Sequence, residues 1–315
     1  LMKRLSVFLA AIMIVSMLAA CGNSEDNSGG SGNSEGGGET PEKLVMGFVP
    51  SQDSGKIAST AEPLAKKLGE TIGKDVEAKT MTSYSSLVEA LGNNTVQIGF
   101  LPAFGYVLAS SKYDMDVILK SKRNGGTTYT AQYIVRADSP VDSLDDLKTH
   151  AKDMTWAYSD ASSTSGYLYP AAQLMKTFDI DNTTALQNDF FKGVQKTGGH
   201  DNTAIAVMNG QADIGTTFDD VRDTMVKDNP KIKDKTKIIG HTAKIPNDTV
   251  TVPASLDDEL TQKIKKAFLS FNNNEKMIKI MNEVYNWEAI VEAKDSDYDV
   301  VRETYNKLGG NISLN

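Results

Sequence analysis

From residue 43 onward, short apolar segments alternate with longer stretches whose apolar residues recur at helical spacing, and this alternation restricts the possible folds more than any other feature. Residues 43–49 read as a strand closed by Pro50-Ser51-Gln52. A helix follows over about 56–72, with Ile57, Ala61, Leu64, Ala65 and Leu68 on one face. Residues 76–79 form a second strand, Ser83 opens a helix reaching Leu91, 96–100 form a third strand, and 103–110 read as a helix. Strands and helices alternating at this spacing predict a parallel sheet of right-handed βαβ units. The rhythm restarts after a strand-rich stretch at 127–136. A short helix begins at 144–147, strands fall at 154–158 and 212–215, and helices at 166–178 and about 202–209. Helical patterns at 256–271, 275–284 and 298–308 finish the chain. The expected architecture is α/β with two sheet-centred lobes, the first from 43–130 plus 251–315 and the second from 131–250. Open α/β sheets bind ligands beyond the carboxyl ends of their strands, and here those ends carry hydroxyl and small residues.

The segment ahead of this body predicts location. Lys3 and Arg4 precede an apolar run over 5–19, shorter than the ~20 residues a bilayer span wants. The run ends in Leu18-Ala19-Ala20-Cys21, with the only cysteine of the chain. This resembles a bacterial lipoprotein signal, which implies removal of 1–20 and a diacylglycerol on Cys21; the alternative is an ordinary secretory signal with a chance cysteine. Residues 22–41 contain no apolar side chain and read, within 21–42, as a flexible tether with a reach of ~25 Å. The expected location is extracytoplasmic, lipid-anchored to the cell membrane. Losing Lys3 and Arg4 lowers the formal charge of −8 by two, a poor balance for binding nucleic acid. No thiol is left for a disulfide or a thiolate site. His150, His200 and His241 are far apart in sequence, so neither a metal site nor a cofactor is expected.

Four junctions carry candidate chemistry. The strongest is Asp160-Ala161-Ser162-Ser163-Thr164-Ser165-Gly166, which sets several hydroxyls at a helix start. Free amides there carry partial positive charge, so hydroxyls and amides together can surround a tetrahedral oxyanion without a basic side chain. The same residues also make an ordinary N-cap and serine-rich loop. Gly198-Gly199-His200-Asp201 lets backbone approach a ligand, with His200 a donor to an anion, more strongly if protonated, or a structural partner. Asp201 suits a helix cap as well as a ligand contact. Thr82-Ser83-Tyr84-Ser85-Ser86 again opens a helix with hydroxyls. Thr216-Thr217-Phe218-Asp219-Asp220, with Asp248 near the return crossing, adds acids that suit either solvent or a cationic ligand group. Ser163 has no base in view other than His200, and an enzyme is not expected.

Taken together these residues resemble the phosphate/phosphite/phosphonate-binding proteins of ABC importers over about 44–252. The resemblance rests on Ser163-Thr164-Ser165-Gly166 after Asp160, on Gly199-His200-Asp201 leading to Ala206-Val207 and Asn209-Gly210, on Tyr84 with residues 87–91, and on Phe104 with 106–109. It implies a type II periplasmic-binding-protein fold, two lobes joined by two crossover strands, with the ligand in the cleft. It further implies that Ser163, Thr164, Ser165, His200 and Tyr84 meet the phosphorus oxyanion. Asp220 and Asp248 would hold the amino group of an aminoalkylphosphonate, with Asp219 competing for the first role. A second pocket tyrosine expected near Leu101 is missing, with Leu101-Pro102-Ala103 in its place. The implied partners are a small oxyanion and a membrane permease, with the protein a monomer. Alternatives are a phosphite or phosphate binder, or a same-fold sensor signalling to a membrane kinase.

Overall fold

The computed structural model describes residues 38–309. The expected signal segment, Cys21 and the tether up to residue 37 lie outside the described residues. The body begins with β1 (Lys43–Phe48), α1 (Ser54–Ile72), β2 (Asp75–Thr80), α2 (Tyr84–Gly92), β3 (Ile98–Leu101), α3 (Ala103–Lys112) and β4 (Met115–Lys122). The apolar stripe of α1 is buried as its spacing predicts. Asp53 caps its start by accepting from the Lys56 amide at 2.7 Å, and Gly73 ends it at φ 72°. Ser83 and Ser86 form a reciprocal capping box that fixes the start of α2.

The chain then passes through β5 (Thr128–Tyr129) into β6 (Ala131–Arg136), β7 (Thr155–Tyr158), β8 (Gly193–Lys196), β9 (Ile214–Phe218) and β10 (Thr236–His241). It returns through β11 (Ile245–Pro246) to β12 (Thr249–Pro253) and, after two helices, β13 (Ala289–Glu292). The first sheet has the order β13-β4-β12-β3-β1-β2 and the second β10-β6-β9-β7-β8. β5 and β11 pair with each other, at the two points where the chain crosses between lobes.

The sheets are mixed rather than parallel. β1 runs parallel to β2 and β3, but β12 is antiparallel to β3 and β4, and β13 to β4. In the second sheet β7 is parallel to β8 and β9, whereas β6 opposes β9 and β10. The strands that enter each lobe from a crossing, β6 and β12, run against both neighbours, and β13 adds an antiparallel edge beside β4. The helix expected over 166–178 opens with one wide π-type turn, Thr164–Leu168, and continues as Tyr169–Phe178 with Pro170 in its first turn. The next helix starts at His200, two residues early. The strand expected at 212–215 runs on to Phe218, which makes Thr216 and Thr217 buried strand residues.

Each lobe has an aromatic core. Phe48 stacks on Phe100 at 4.4 Å, with Trp287 and Phe268 beyond; Trp156 stacks on Tyr167 at 5.5 Å, with Tyr158 and Phe191 around it. Burial of each such ring contributes ~1.5–3 kcal/mol. The first core fixes the ends of β1 and β3, the second the end of β7, and those three strand ends face one cleft.

Candidate functional site

A cavity of about 30 Å³ lies in that cleft. A single water needs roughly 10–15 Å³ in this measure, so the space suits one small ion and its nearest atoms. Val49, Ser51 and Gln52 after β1, Leu101 at the end of β3 with Pro102 after it, and Phe218 at the end of β9 all line it. It therefore sits beyond the carboxyl ends of the strands, as open α/β sheets dictate.

Tyr84, Ser163, Ser165, His200 and Asp248 line the cavity, so five of the seven expected ligand residues meet in one place. Tyr84 is the first residue of α2 and is buried, and its hydroxyl has no hydrogen-bond partner. Burial, with the Asp160 charge adding, pushes its phenol well above the usual range, so it remains a donor. Ser163 caps the wide turn, its Oγ accepting from the Gly166 amide at 3.0 Å. Glycine is required there, because a Cβ on Gly166 would stand 2.3 Å from Ser159 Oγ and 2.8 Å from Ser163 Oγ. His200 Nε2 lies 3.3 Å from Ser163 Oγ and 3.5 Å from Ser159 Oγ, while Nδ1 is buried without a partner. Burial, helped by the Arg123 charge, lowers the imidazole to about 3. His200 is therefore a neutral donor and acceptor, not the imidazolium that the sequence left open. Burial raises the Asp248 carboxyl, with Arg123 and Trp287 opposing.

Two expected contacts are placed elsewhere. Thr164 does not line the cavity; its Oγ1 accepts from the Phe104 amide at 2.8 Å, across the cleft. Asp220 does not line it either. Its Oδ1 is ion-paired with Arg123 Nη2, and its Oδ2 lies 3.4 Å from Asn124 Nδ2. Asp219 is no freer, since its Oδ2 accepts from both the Thr130 amide (3.0 Å) and Thr130 Oγ1 (3.1 Å).

Sequence reasoning missed the cation of the site. Arg123 is 5 % exposed, lines the cavity, and packs its guanidinium 5.2 Å from the Phe218 ring centre and 5.3 Å from that of Tyr129. Burial opposes its charge, but Asp220 and Asp248 outweigh that and hold it above its ordinary range. The cradle of hydroxyls and amides thus has a basic neighbour after all. Tyr129 and Tyr285 were missed too; both line the cavity, alongside the Leu101 that stands where a tyrosine had been expected. Tyr285 donates its hydroxyl to the Val49 carbonyl at 2.8 Å.

The lobes touch around the cavity. The His200 amide donates to the Ser51 carbonyl at 2.8 Å and the Asp53 amide to Asp201 Oδ2 at 3.3 Å. Such a site can enclose a small anion with tyrosine, serine, imidazole and guanidinium donors. Among the described residues no group of three or more histidine, cysteine or acidic side chains is arranged to hold a metal ion. No described helix is long and apolar enough to cross a membrane.

Residues 46–298 match the family described as ABC transporter, phosphonate, periplasmic substrate-binding protein. The chain is 26 % identical to a phosphate-import protein of Mycolicibacterium smegmatis, over 95 % of each chain. It is 25 % identical to a phosphonates-binding periplasmic protein of Escherichia coli, over 74 % of this chain and 67 % of that one. Among solved structures, the binding component of an ABC phosphonate transporter from Pseudomonas aeruginosa superposes with a TM-score of 0.78 at 22 % identity, over 87 % of this chain and 89 % of that one.

Proposed function

Because the chain belongs to the family of periplasmic substrate-binding proteins that serve ABC phosphonate transporters, we propose that it captures a small phosphorus oxyanion in the cavity between its lobes and hands it to a membrane permease. It is a binding component of a transporter and not an enzyme. The observation that carries the ligand reading is the pair of unpartnered buried groups, Tyr84 hydroxyl and His200 Nδ1, on residues that line the cavity with Ser163 and Ser165. Leaving a buried donor unpaired costs about 1–3 kcal/mol, which a bound oxyanion relieves. Relatives named for phosphate import and for phosphonate binding support the same class of ligand.

Binding is a matter of closure. An anion that touches both lobes favours the closed arrangement because the open one offers only the donors of one lobe. Tyr84 comes from the first lobe, and Ser163, Ser165 and His200 from the second. Five hydrogen bonds to a charged group, ~1.5–3 kcal/mol each, exceed the ordering costs of association by enough for micromolar affinity, ~8 kcal/mol. Asp248, with its carboxyl raised by burial, suits a P–OH proton of the ligand. The ammonium role expected of Asp220 is not retained, since that carboxylate faces Arg123.

Calorimetric titration of the purified protein with phosphate, phosphite and methylphosphonate tests this. At least one is expected to bind at micromolar affinity or better, and Ser163→Ala with Ser165→Ala to weaken it by ~2 kcal/mol or more. Unchanged affinity in the double variant would remove the serine cradle. We also propose that Cys21 carries the lipid that keeps the body at the membrane. Cells fed a labelled fatty acid should label the protein but not its Cys21→Ser variant; equal labelling of both would defeat the anchor.

A further inference from the structure

Arg123 occupies its place by construction. It closes a two-residue turn after β4, exchanging backbone hydrogen bonds with Gly126 at 2.9 and 3.0 Å, with Asn124 at φ 50° and Gly125 at φ 75°. That Asn-Gly pair is the sequence such a turn demands. Asn247 Nδ2 then ties the turn down through the carbonyls of Ser121 and Gly126, both at 3.1 Å. From this anchor in the first lobe the side chain runs between Tyr129 and Phe218 to Asp220 in the second, with Asp219 Oδ1 at 4.0 Å. Its Nε is buried and has no partner. A buried ion pair adds little net stability over an apolar filling of the same space, so stability alone gives a weak reason for a guanidinium here.

The charges around it sharpen the point. Without Arg123, the cavity would meet Asp248 on its wall and Asp219 and Asp220 just behind, a field that repels an anion and welcomes an ammonium group. With Arg123, a fixed guanidinium faces the same acids from inside the protein. We propose that Arg123 is a resident counter-cation that takes the place of a ligand ammonium, so that the site selects small oxyanions without a cationic substituent, of the phosphate and methylphosphonate class, over aminoalkylphosphonates. The guanidinium also lines the cavity directly, so a ligand ammonium entering beside it would meet a like charge. This rests on the oxyanion reading above.

The test is a ranking. The wild-type protein is titrated with phosphate, methylphosphonate and 2-aminoethylphosphonate at one pH and ionic strength. The better of the first two should bind at least tenfold more tightly than the aminophosphonate. Arg123→Gln, which leaves Asp220 unpaired, should narrow that ratio to less than threefold or invert it. Arg123→Lys keeps the charge and should preserve the order. Should Arg123→Gln fail to fold, Arg123→Gln with Asp220→Asn removes both halves of the pair and should still weaken binding of the simple oxyanion at least tenfold. A wild-type preference for 2-aminoethylphosphonate overturns the counter-cation while leaving the oxyanion site standing. An unchanged ranking in folded Arg123→Gln makes the residue structural and overturns it too. Silence of the wild type toward all three ligands overturns the oxyanion reading and this inference together.

Discussion

His200 and Asp201 are chain neighbours whose ionisation is displaced in opposite directions by the same burial. The imidazole is lowered to about 3, by burial and then by the Arg123 charge. The Asp201 carboxyl is raised to about 6 by burial, against the Asp53 amide and Lys56. Linkage fixes the signs. The folded state holds His200 neutral, so its contribution is complete above pH 6.5, the unfolded value, and is lost progressively as pH falls toward 3. The folded state resists charging Asp201, so folding is penalised as pH rises from 3.8 toward 6, and the penalty is full above that. Asp201 is only half-buried, which discounts the penalty to on the order of 1–3 kcal/mol at neutral pH. Asp201→Asn should therefore raise the melting temperature at pH 7 by several degrees, with the gain gone near pH 4. His200→Gln should flatten the loss of stability between pH 6.5 and pH 4. Calorimetric melts across that range decide both, and an Asp201→Asn variant no more stable at pH 7 would refute the burial penalty.

At the scale of elements, what the chain declares locally is what was legible. α1, α2 and the helix at 258–271 show their buried stripes, and Ser83 announces the cap it makes. β12, by contrast, reads Thr-Val-Thr-Val-Pro and is buried throughout, so it offers no alternation of core and solvent faces. Its threonines are satisfied in ways only the fold supplies: Thr249 Oγ1 donates to the Leu101 carbonyl at 3.1 Å and lies 2.9 Å from Thr251 Oγ1. β4 carries Asp116, Lys120 and Lys122 among its apolar residues and reads as a solvated stretch. That Ser163 and Ser165 come together on the cavity wall was legible because the hydroxyls cluster at one helix start. Arg123 was not, because Lys122-Arg123-Asn124-Gly125-Gly126 reads as an exposed turn; what buries the side chain is Phe218 and Asp220, nearly a hundred positions later. The ion pair of Asp220 was not legible for the same reason, its partner being invisible without the return of the chain.

For the whole molecule, Thr164 shows how the two lobes are held around the cavity without touching what it contains. α3 starts at Ala103 behind Pro102, which gives it no side-chain cap, so the Phe104 amide lacks a partner within its own lobe. The Thr164 hydroxyl fills that role from the other lobe at 2.8 Å, next to the serines that line the cavity. On the closure proposed above, water would satisfy the same amide in the open molecule, so the bond would matter only in the closed one. Thr164→Val keeps the shape and removes the acceptor, which strands a buried N–H at about 1–3 kcal/mol in the closed form alone. Oxyanion affinity should then fall about tenfold although the residue is not on the cavity wall. Solution scattering separates this from direct contact. A latch variant should stay measurably expanded at ligand concentrations that fully compact the wild type, with compaction restored by Thr164→Ser. A direct ligand contact would lower the affinity yet leave the saturated radius of gyration equal to that of the wild type, and that result would return Thr164 to the ligand shell.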